Sequence, residues 1–124
     1  MKKTGIVISS LAGALILCAA FVIPANHPST DPPKGITDSV WTIVQKSCYD
    51  CHANDGNAMA KSKLNFDNWE NYSSDKQTAK AQDMCDEISK GKMPPSKYRK
   101  NNPEAVPTEA DATVICNWAK TLEK

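Results

Sequence analysis

The stretch Cys48-Tyr49-Asp50-Cys51-His52 decides how the rest of this 124-residue chain is interpreted. It has the C-x-x-C-H spacing by which proteins attach c-type haem. The two thiols can each add to one vinyl group at the edge of a haem, and the adjacent histidine can then bind the iron as its proximal ligand. The motif therefore predicts one covalent haem c per chain, with Cys48 and Cys51 as thioethers and His52 as an axial ligand.

Three other chemistries use the same residue types. A thioredoxin-type cysteine pair opens a helix in a fold that contains strands, whereas this pair follows a predicted helix and no strand pattern is visible. A zinc site of this kind needs a second C-x-x-C or H-x-x-H pair, and the sequence contains none. A Cys48–Cys51 disulfide without function is the third alternative. Haem attachment is favoured because an export signal and a small helical domain accompany the motif.

Residues 1–23 have the pattern of an export signal, with two lysines before an apolar run over residues 5–23. The run suits either a cleaved signal peptide or a retained membrane anchor. Cys18 adds a lipoprotein as a third option, although Leu17 is bulky for the residue before a lipidated cysteine. All three options export the domain, so we expect it in the periplasm or on the outer face of the inner membrane.

The remaining chain is predicted to form a linker and one domain. Residues 24–36 contain four prolines and one glycine and read as an extended linker, so the haem-binding domain is placed at residues 37–124. Its composition is that of a globular protein, since 40% of the residues are hydrophobic and 23% are charged. A net charge of +1 argues against nucleic-acid binding. Aromatic residues make up only 6%, so a cofactor would complete a thin core.

The domain is predicted to be all-α. Three segments carry apolar residues at helical spacing and are bounded by capping residues: Thr37–Ser47, Ser74–Lys90 and Thr108–Leu122. The second is expected to begin with a capping box of Ser74 and Gln77, and the third with Thr108 and the charge of Asp111. Residues 53–73 are expected to be a loop with one short helical turn.

Met93 is the predicted distal ligand of the iron. It lies 41 residues after His52 in a Met-Pro-Pro loop, and the stiff prolines can hold its sulfur at a fixed place. Met59 is the reserve candidate. Met84 is assigned to the apolar stripe of its helix, and His27, the second histidine of the chain, falls in the linker.

These features resemble class I cytochromes c. More narrowly, the chain resembles the small haem-binding domain family of exported bacterial proteins over about residues 37–122. The segments that carry this resemblance are Cys48–His52, Lys63–Trp69, Gly91–Pro94 and Asn102–Ala105. The resemblance implies a small helical domain wrapped around one covalent haem, ligated by His52 and Met93. Longer members have an extra Trp- and His-bearing stretch before the second segment, and no role of that stretch can be transferred to this chain.

Two further cysteines, Cys85 and Cys116, fall on the last two predicted helices. An even remainder of cysteines outside the cytoplasm favours a disulfide. The bond forms if the helices place the two Cα atoms about 4.4–6.8 Å apart. The alternative is a pair of buried free thiols that pack as small apolar side chains.

Basic residues flank the predicted ligand loop on both sides: Lys90, Lys92, Lys97, Arg99 and Lys100. Once the two N-terminal lysines are set aside, 13 basic residues stand against 14 acidic ones. Such a collar would steer a redox partner protein with an acidic surface. The alternative is a solvated lysine-rich loop.

Together these features predict a monohaem c-type cytochrome. We expect it to be an electron carrier rather than an enzyme, and to be a monomer. Two strong axial ligands keep the iron six-coordinate in both oxidation states, and a His/Met pair favours a relatively high potential. The alternative is a haem-based sensor or small peroxidase with a labile distal ligand. A haem-bearing interaction module without turnover is a third class. The apolar run over residues 5–23 provides a membrane tether if it is retained.

Overall fold

A computed structural model of the chain describes residues 30–123. Within that range the chain forms helices and no strand, so the all-α class predicted from the sequence is confirmed. The elements are α1 (Asp38–Ser47), α2 (Tyr49–His52), α3 (Ala58–Lys63), a 3-10 helix (Phe66–Asn71), α4 (Ser74–Ser89), α5 (Ser96–Asn101), a 3-10 turn (Pro103–Ala105) and α6 (Glu109–Thr121). The predicted export segment at residues 1–23, with Cys18, and His27 lie outside the described residues.

Helix α6 packs against both α1 and α4, and the core lies between these helices and the Phe66–Asn71 3-10 helix. Trp69 is fully buried. Its ring centroid lies 6.5 Å from that of Phe66, 6.1 Å from that of Tyr72 and 5.7 Å from that of Trp118. Four aromatic residues of the described chain therefore form one cluster, and such packed rings stabilise a core beyond their buried area.

Helix α4 is capped one residue earlier than predicted. Ser73, not Ser74, accepts the backbone N–H of Lys76, because Ser73 has the extended backbone of an N-cap residue. The side chain of Gln77 donates instead to the carbonyl oxygen of Trp69, at 3.0 Å. The predicted capping box is therefore replaced by a contact that ties α4 to the aromatic cluster.

Helix α6 begins as the sequence predicts. Thr108 and Asp111 form a reciprocal capping box in which each side chain accepts the backbone N–H of the other residue. A disulfide between Cys85 and Cys116 joins α4 to α6, with a Cα–Cα distance of 4.8 Å. Covalent and apolar contacts thus hold the same pair of helices together.

The segment 53–73 contains more helix than predicted. The side chain of Asn57 accepts the backbone N–H groups of Met59 and Ala60 and so begins α3. Asn65 caps the following 3-10 helix in the same way, through the N–H of Asp67. The asparagines that suggested a loop act here as N-caps, the position that asparagine prefers.

Residues 33–36, at the end of the predicted linker, contact the domain. Ile36 is buried, the indole N–H of Trp118 donates to the carbonyl oxygen of Gly35 at 2.9 Å, and the backbone N–H of Lys34 donates to the Glu70 carboxylate at 2.8 Å. The folded unit of the structure therefore includes these four residues. Among the described residues, no helix combines the length and apolar character needed to cross a membrane.

Candidate functional site

The C-x-x-C-H motif forms a short helix of its own. Helix α1 ends at Ser47, and Cys48 lies between α1 and α2. The backbone N–H of Cys48 donates to Val44 of α1, and its carbonyl oxygen accepts the N–H of His52 at 3.0 Å. The motif therefore follows α1, as predicted, and also forms a helical turn of its own that carries Cys51 and His52.

The imidazole of His52 is oriented by a backbone hydrogen bond. Its Nδ1 lies 2.9 Å from the carbonyl oxygen of Leu64. A carbonyl oxygen can only accept, so Nδ1 carries the proton and Nε2 keeps its lone pair. Histidines that bind metals are held in this way, with the second ring nitrogen donating to a backbone carbonyl or a carboxylate. The ring is therefore prepared to bind a metal ion through Nε2.

Two cavities border both His52 and Met93. The larger is an open groove of about 400 Å³, within the usual range for ligand-binding clefts. Its apolar wall consists of Leu64, Phe66, Met84 and Ile88. The smaller cavity shares four lining residues with the groove and adds others from the motif and from the loop after α4. The shared residues are Cys48, His52, Ile88 and Met93.

The structure brings together the residues that the sequence assigns to the haem. Cys48, His52 and Met93 border both cavities, and Cys51 borders the smaller one. An apolar cleft, two thiols, an oriented imidazole and a thioether sulfur are the groups that a c-type haem requires. The residues present therefore fit this cofactor.

The end of helix α4 places Met93. Gly91 has φ +65°, a left-handed conformation that glycine adopts without strain. The carbonyl oxygen of Glu87 accepts the backbone N–H groups of both Lys92 and Met93, at 2.9 and 3.2 Å, and the carbonyl of Ile88 accepts that of Gly91. These bonds form a Schellman motif, which turns the chain directly into the loop that carries Met93.

The other methionines of the described chain lie elsewhere. Met59, the reserve candidate, is 77% exposed and borders neither cavity. Met84 borders the groove but is buried in the core, as predicted. Met93 is 38% exposed, so its side chain is accessible both from the cavities and from solvent.

The thiols of Cys48 and Cys51 are free in the structure. Burial raises the pKa of Cys48 to about 12, with Cys51 adding to the increase and Lys46 opposing it. Redox-active pairs of the thioredoxin type require a lowered thiol pKa, so this environment disfavours that alternative. Within residues 30–123, no group of three or more His, Cys, Asp or Glu side chains is arranged to hold a metal ion.

The sequence does not reveal that three further side chains belong to the site. Ser47, predicted on the apolar stripe of α1, borders the smaller cavity, and its buried hydroxyl has no hydrogen-bond partner in the described chain. Tyr49 donates a short hydrogen bond to the carboxylate of Asp67. Tyr98 donates to Asp50 at 2.8 Å. These pairs are 18 and 48 residues apart in sequence, so only the tertiary structure reveals them.

The basic collar is partly neutralised. Lys90 pairs with Asp86 at 2.8 Å, and Lys92 lies 3.9 Å from Glu87. The other three members of the collar, Lys97, Arg99 and Lys100, belong to α5, which follows the loop of Met93. The rim of the groove itself carries charges of both signs, from Lys63, Lys80, Asp83 and Glu87.

Comparison with known proteins identifies the family. The sequence profile of a haem-binding domain matches residues 57–121, which is slightly more than half of the chain. The match includes the Leu64–Trp69 segment and the loop of Met93, and it begins after the C-x-x-C-H motif. No curated protein and no solved structure matches the chain significantly. The chain therefore belongs to the haem-binding domain family and is a haem-binding protein.

Proposed function

We propose that this protein is a monohaem c-type cytochrome that carries single electrons outside the cytoplasm. The observation that carries the proposal is the convergence of the C-x-x-C-H motif and Met93 on the same pair of cavities. The oriented imidazole of His52 adds a ligand atom on the motif side. The family match supports the cofactor, and the attachment chemistry rests on the motif.

In this proposal Cys48 and Cys51 hold the haem covalently. Each thiol adds across one vinyl group, so that a carbon–sulfur bond forms and the thiol hydrogen passes to the neighbouring vinyl carbon. The burial that raises the pKa of Cys48 to about 12 disfavours a charged thiolate there. A thioether carries no charge, so it suits this apolar position.

The axial ligands in this proposal are His52 and Met93. The bound haem supplies a one-electron Fe(III)/Fe(II) couple. The hydrogen bond to Leu64 fixes the orientation of the His52 ring, and the Schellman motif fixes the backbone of Met93. Because both ligands are held by the protein, little rearrangement is needed when the electron arrives or leaves. A thioether ligand and an apolar wall both favour a relatively high potential.

The partner and the location are proposed from charge and from the N-terminal sequence. Helix α5 presents Lys97, Arg99 and Lys100 beside the loop of Met93, so a redox partner with an acidic surface would be attracted to this edge. The export signal predicted at residues 1–23 supports a location in the periplasm or on the outer face of the inner membrane. A retained signal would tether it there.

A haem-based sensor or small peroxidase is the second candidate function. It is favoured by the exposure of Met93, since a ligand that is 38% exposed can be displaced more readily than a buried one. In that case the distal side would open to a diatomic gas or to peroxide.

The test uses the full chain produced together with a cytochrome c maturation system. We expect a mass increase of one haem, which Cys48→Ala with Cys51→Ala abolishes. We also expect a long-wavelength ferric absorption band from sulfur ligation, which Met93→Ala removes and the control Met59→Ala retains. A colourless protein with the mass of the polypeptide alone would refute haem attachment. Attached haem without the band, with rapid carbon monoxide binding, would favour the sensor.

A further inference from the structure

We propose that Tyr98 and Asp50 form a latch that holds Met93 in its position as distal ligand. This inference rests on the proposed function, because it concerns the ligation of a covalently bound haem by Met93. It assigns a positioning role to two residues that do not themselves bind the iron.

The latch connects the two sides of the smaller cavity. The hydroxyl of Tyr98 on α5 donates to Oδ2 of Asp50 on α2, at 2.8 Å. Both side chains border this cavity, together with Met93 and the two prolines that follow it. The hydrogen bond therefore runs from the C-x-x-C-H motif to the segment that carries the distal ligand.

Helix α5 transmits the position of Tyr98 to the ligand loop. The backbone N–H of Arg99 donates to the carbonyl oxygen of Pro95 at 3.0 Å, which joins α5 to the residue two positions after Met93. At the other end of the helix, the backbone N–H and the side-chain amide of Asn102 both donate to the carbonyl oxygen of Tyr98, at 2.9 and 3.1 Å. A displacement of Tyr98 would thus move α5 and the loop together.

Helix α5 has few other contacts that could fix it. None of its residues is buried, and its main packing partner is the adjacent Pro103–Ala105 turn. The backbone of Met93 is held on its N-terminal side by Glu87 of α4. On the C-terminal side, the bond between Tyr98 and Asp50 ties α5 to the motif, so the latch supplies a second restraint on Met93 among the described residues.

Two features strengthen the hydrogen bond between Tyr98 and Asp50. The acceptor is a carboxylate, and hydrogen bonds to ionised acceptors are stronger than neutral ones. Burial and this hydrogen bond raise the pKa of Tyr98 to about 12, so the phenol keeps its proton at physiological pH.

The chain contains a matched control. Tyr49 makes the same kind of phenol–carboxylate bond, to Asp67. That bond joins α2 to the Phe66–Asn71 3-10 helix, next to the segment that orients His52, and Tyr49 borders neither haem-binding cavity. Tyr49→Phe therefore removes a chemically equivalent bond without touching the loop of Met93.

The test compares the haem-loaded full-length protein with Tyr98→Phe and Tyr49→Phe. In Tyr98→Phe we expect a weaker ferric sulfur band and an apparent affinity for imidazole, which competes with Met93, that is about three- to tenfold higher. Backbone amides of α5 should exchange with deuterium faster. Tyr49→Phe should leave the amide exchange of α5 at its wild-type rate, because its bond to Asp67 does not involve α5.

Substitutions at Asp50 provide a second test that leaves Tyr98 in place. Asp50→Asn keeps a carbonyl oxygen that can accept the phenol, so its imidazole affinity should lie between those of wild type and Asp50→Ala. This series tests the latch even if Tyr98→Phe does not fold.

The outcomes separate the two proposals. Wild-type protein without covalent haem, or with haem but no sulfur band, would refute the proposed function whatever the variants do. A wild-type protein that shows the band while Tyr98→Phe matches it in imidazole affinity and α5 exchange would refute the latch alone. Equal increases in the amide exchange of α5 in Tyr98→Phe and Tyr49→Phe would also refute it, because a general loosening would then explain both.

Discussion

The disulfide between Cys85 and Cys116 is expected to account for a large part of the stability of this domain. The two residues are 31 positions apart, so the bond closes a loop of about 32 residues. The loss of chain entropy on closing such a loop corresponds to about 3–4 kcal/mol at 25 °C. A domain of this size has a total free energy of unfolding of about 5–14 kcal/mol. We therefore expect Cys85→Ala with Cys116→Ala to remove about a fifth or more of the total.

The assay is urea unfolding of the haem-loaded protein, followed by far-UV circular dichroism. The free energy of unfolding should fall by about 3–4 kcal/mol in the double variant, and the dependence on urea should become steeper because the unfolded chain is less restricted. With the haem iron kept in the ferrous state in every sample, a thiol reductant should have the same effect on the wild type and none on the double variant. Thioether bonds to haem resist such reagents, so the reductant acts on the disulfide.

Ser89 provides the control. Its hydroxyl lies 3.7 Å from the sulfur of Cys116, so Ser89→Ala perturbs the surroundings of the disulfide without breaking it. We expect this variant to unfold within about 0.5 kcal/mol of the wild type, as exposed substitutions usually do. A double variant that is as stable as Ser89→Ala, or two alkylatable thiols in the unreduced wild type, would contradict the reasoning.

Three further predictions follow from other positions. Gly91→Ala should destabilise the protein by about 1–2 kcal/mol in urea unfolding and weaken the ferric sulfur band, because φ is +65° at the turn into the ligand loop. Gly56→Ala should reduce the yield of haem-loaded protein, measured by absorbance per polypeptide, because its Cβ would overlap the carbonyl group of Cys51. The hydrogen bond from Lys46 lowers the pKa of Asp111 below 3.8. This pair should therefore stabilise the protein above pH 3.8 and cease to do so as the pH falls through the lowered value. Asp111→Asn should lose that pH dependence in acid unfolding.

The helices that are predicted well from the sequence are those whose ends and buried faces are set by residues of the same segment. Helix α6 begins where Thr108 and Asp111 form their capping box, and the apolar stripe of α1 is buried as its spacing indicates. For α4 the prediction of its cap was one residue late, because Gln77 bonds to Trp69 rather than to the start of its own helix. The competing partner is contributed by another element, which local pattern does not reveal.

The short elements were beyond local prediction. Helix α5 follows two prolines and has no buried residue, so no apolar periodicity marks it. The 3-10 helix around Trp69 lies in a stretch whose asparagines resemble those of a loop, and they become caps only in the folded structure.

The candidate site likewise contains some residues that the sequence reveals and others that only the tertiary structure reveals. The motif Cys48–His52 is visible because its chemistry requires residues adjacent in sequence. The proline-stiffened loop predicts Met93 as the ligand, but its place at the cavity depends on the length of α4 and on the turn at Gly91. The bond between Asp50 and Tyr98 spans 48 residues and has no sequence signature.

The hydrogen bond from Trp118 to Gly35 joins residues 83 positions apart in the chain. It fixes the start of the folded unit against α6, and residues 33–36 border neither cavity. A form attached to the membrane through residues 5–23 would therefore be joined to the domain at a point outside both cavities. A shortened recombinant chain that begins at residue 37 would lack the hydrogen bond from Trp118 to Gly35. A chain that begins before Pro33 would retain it.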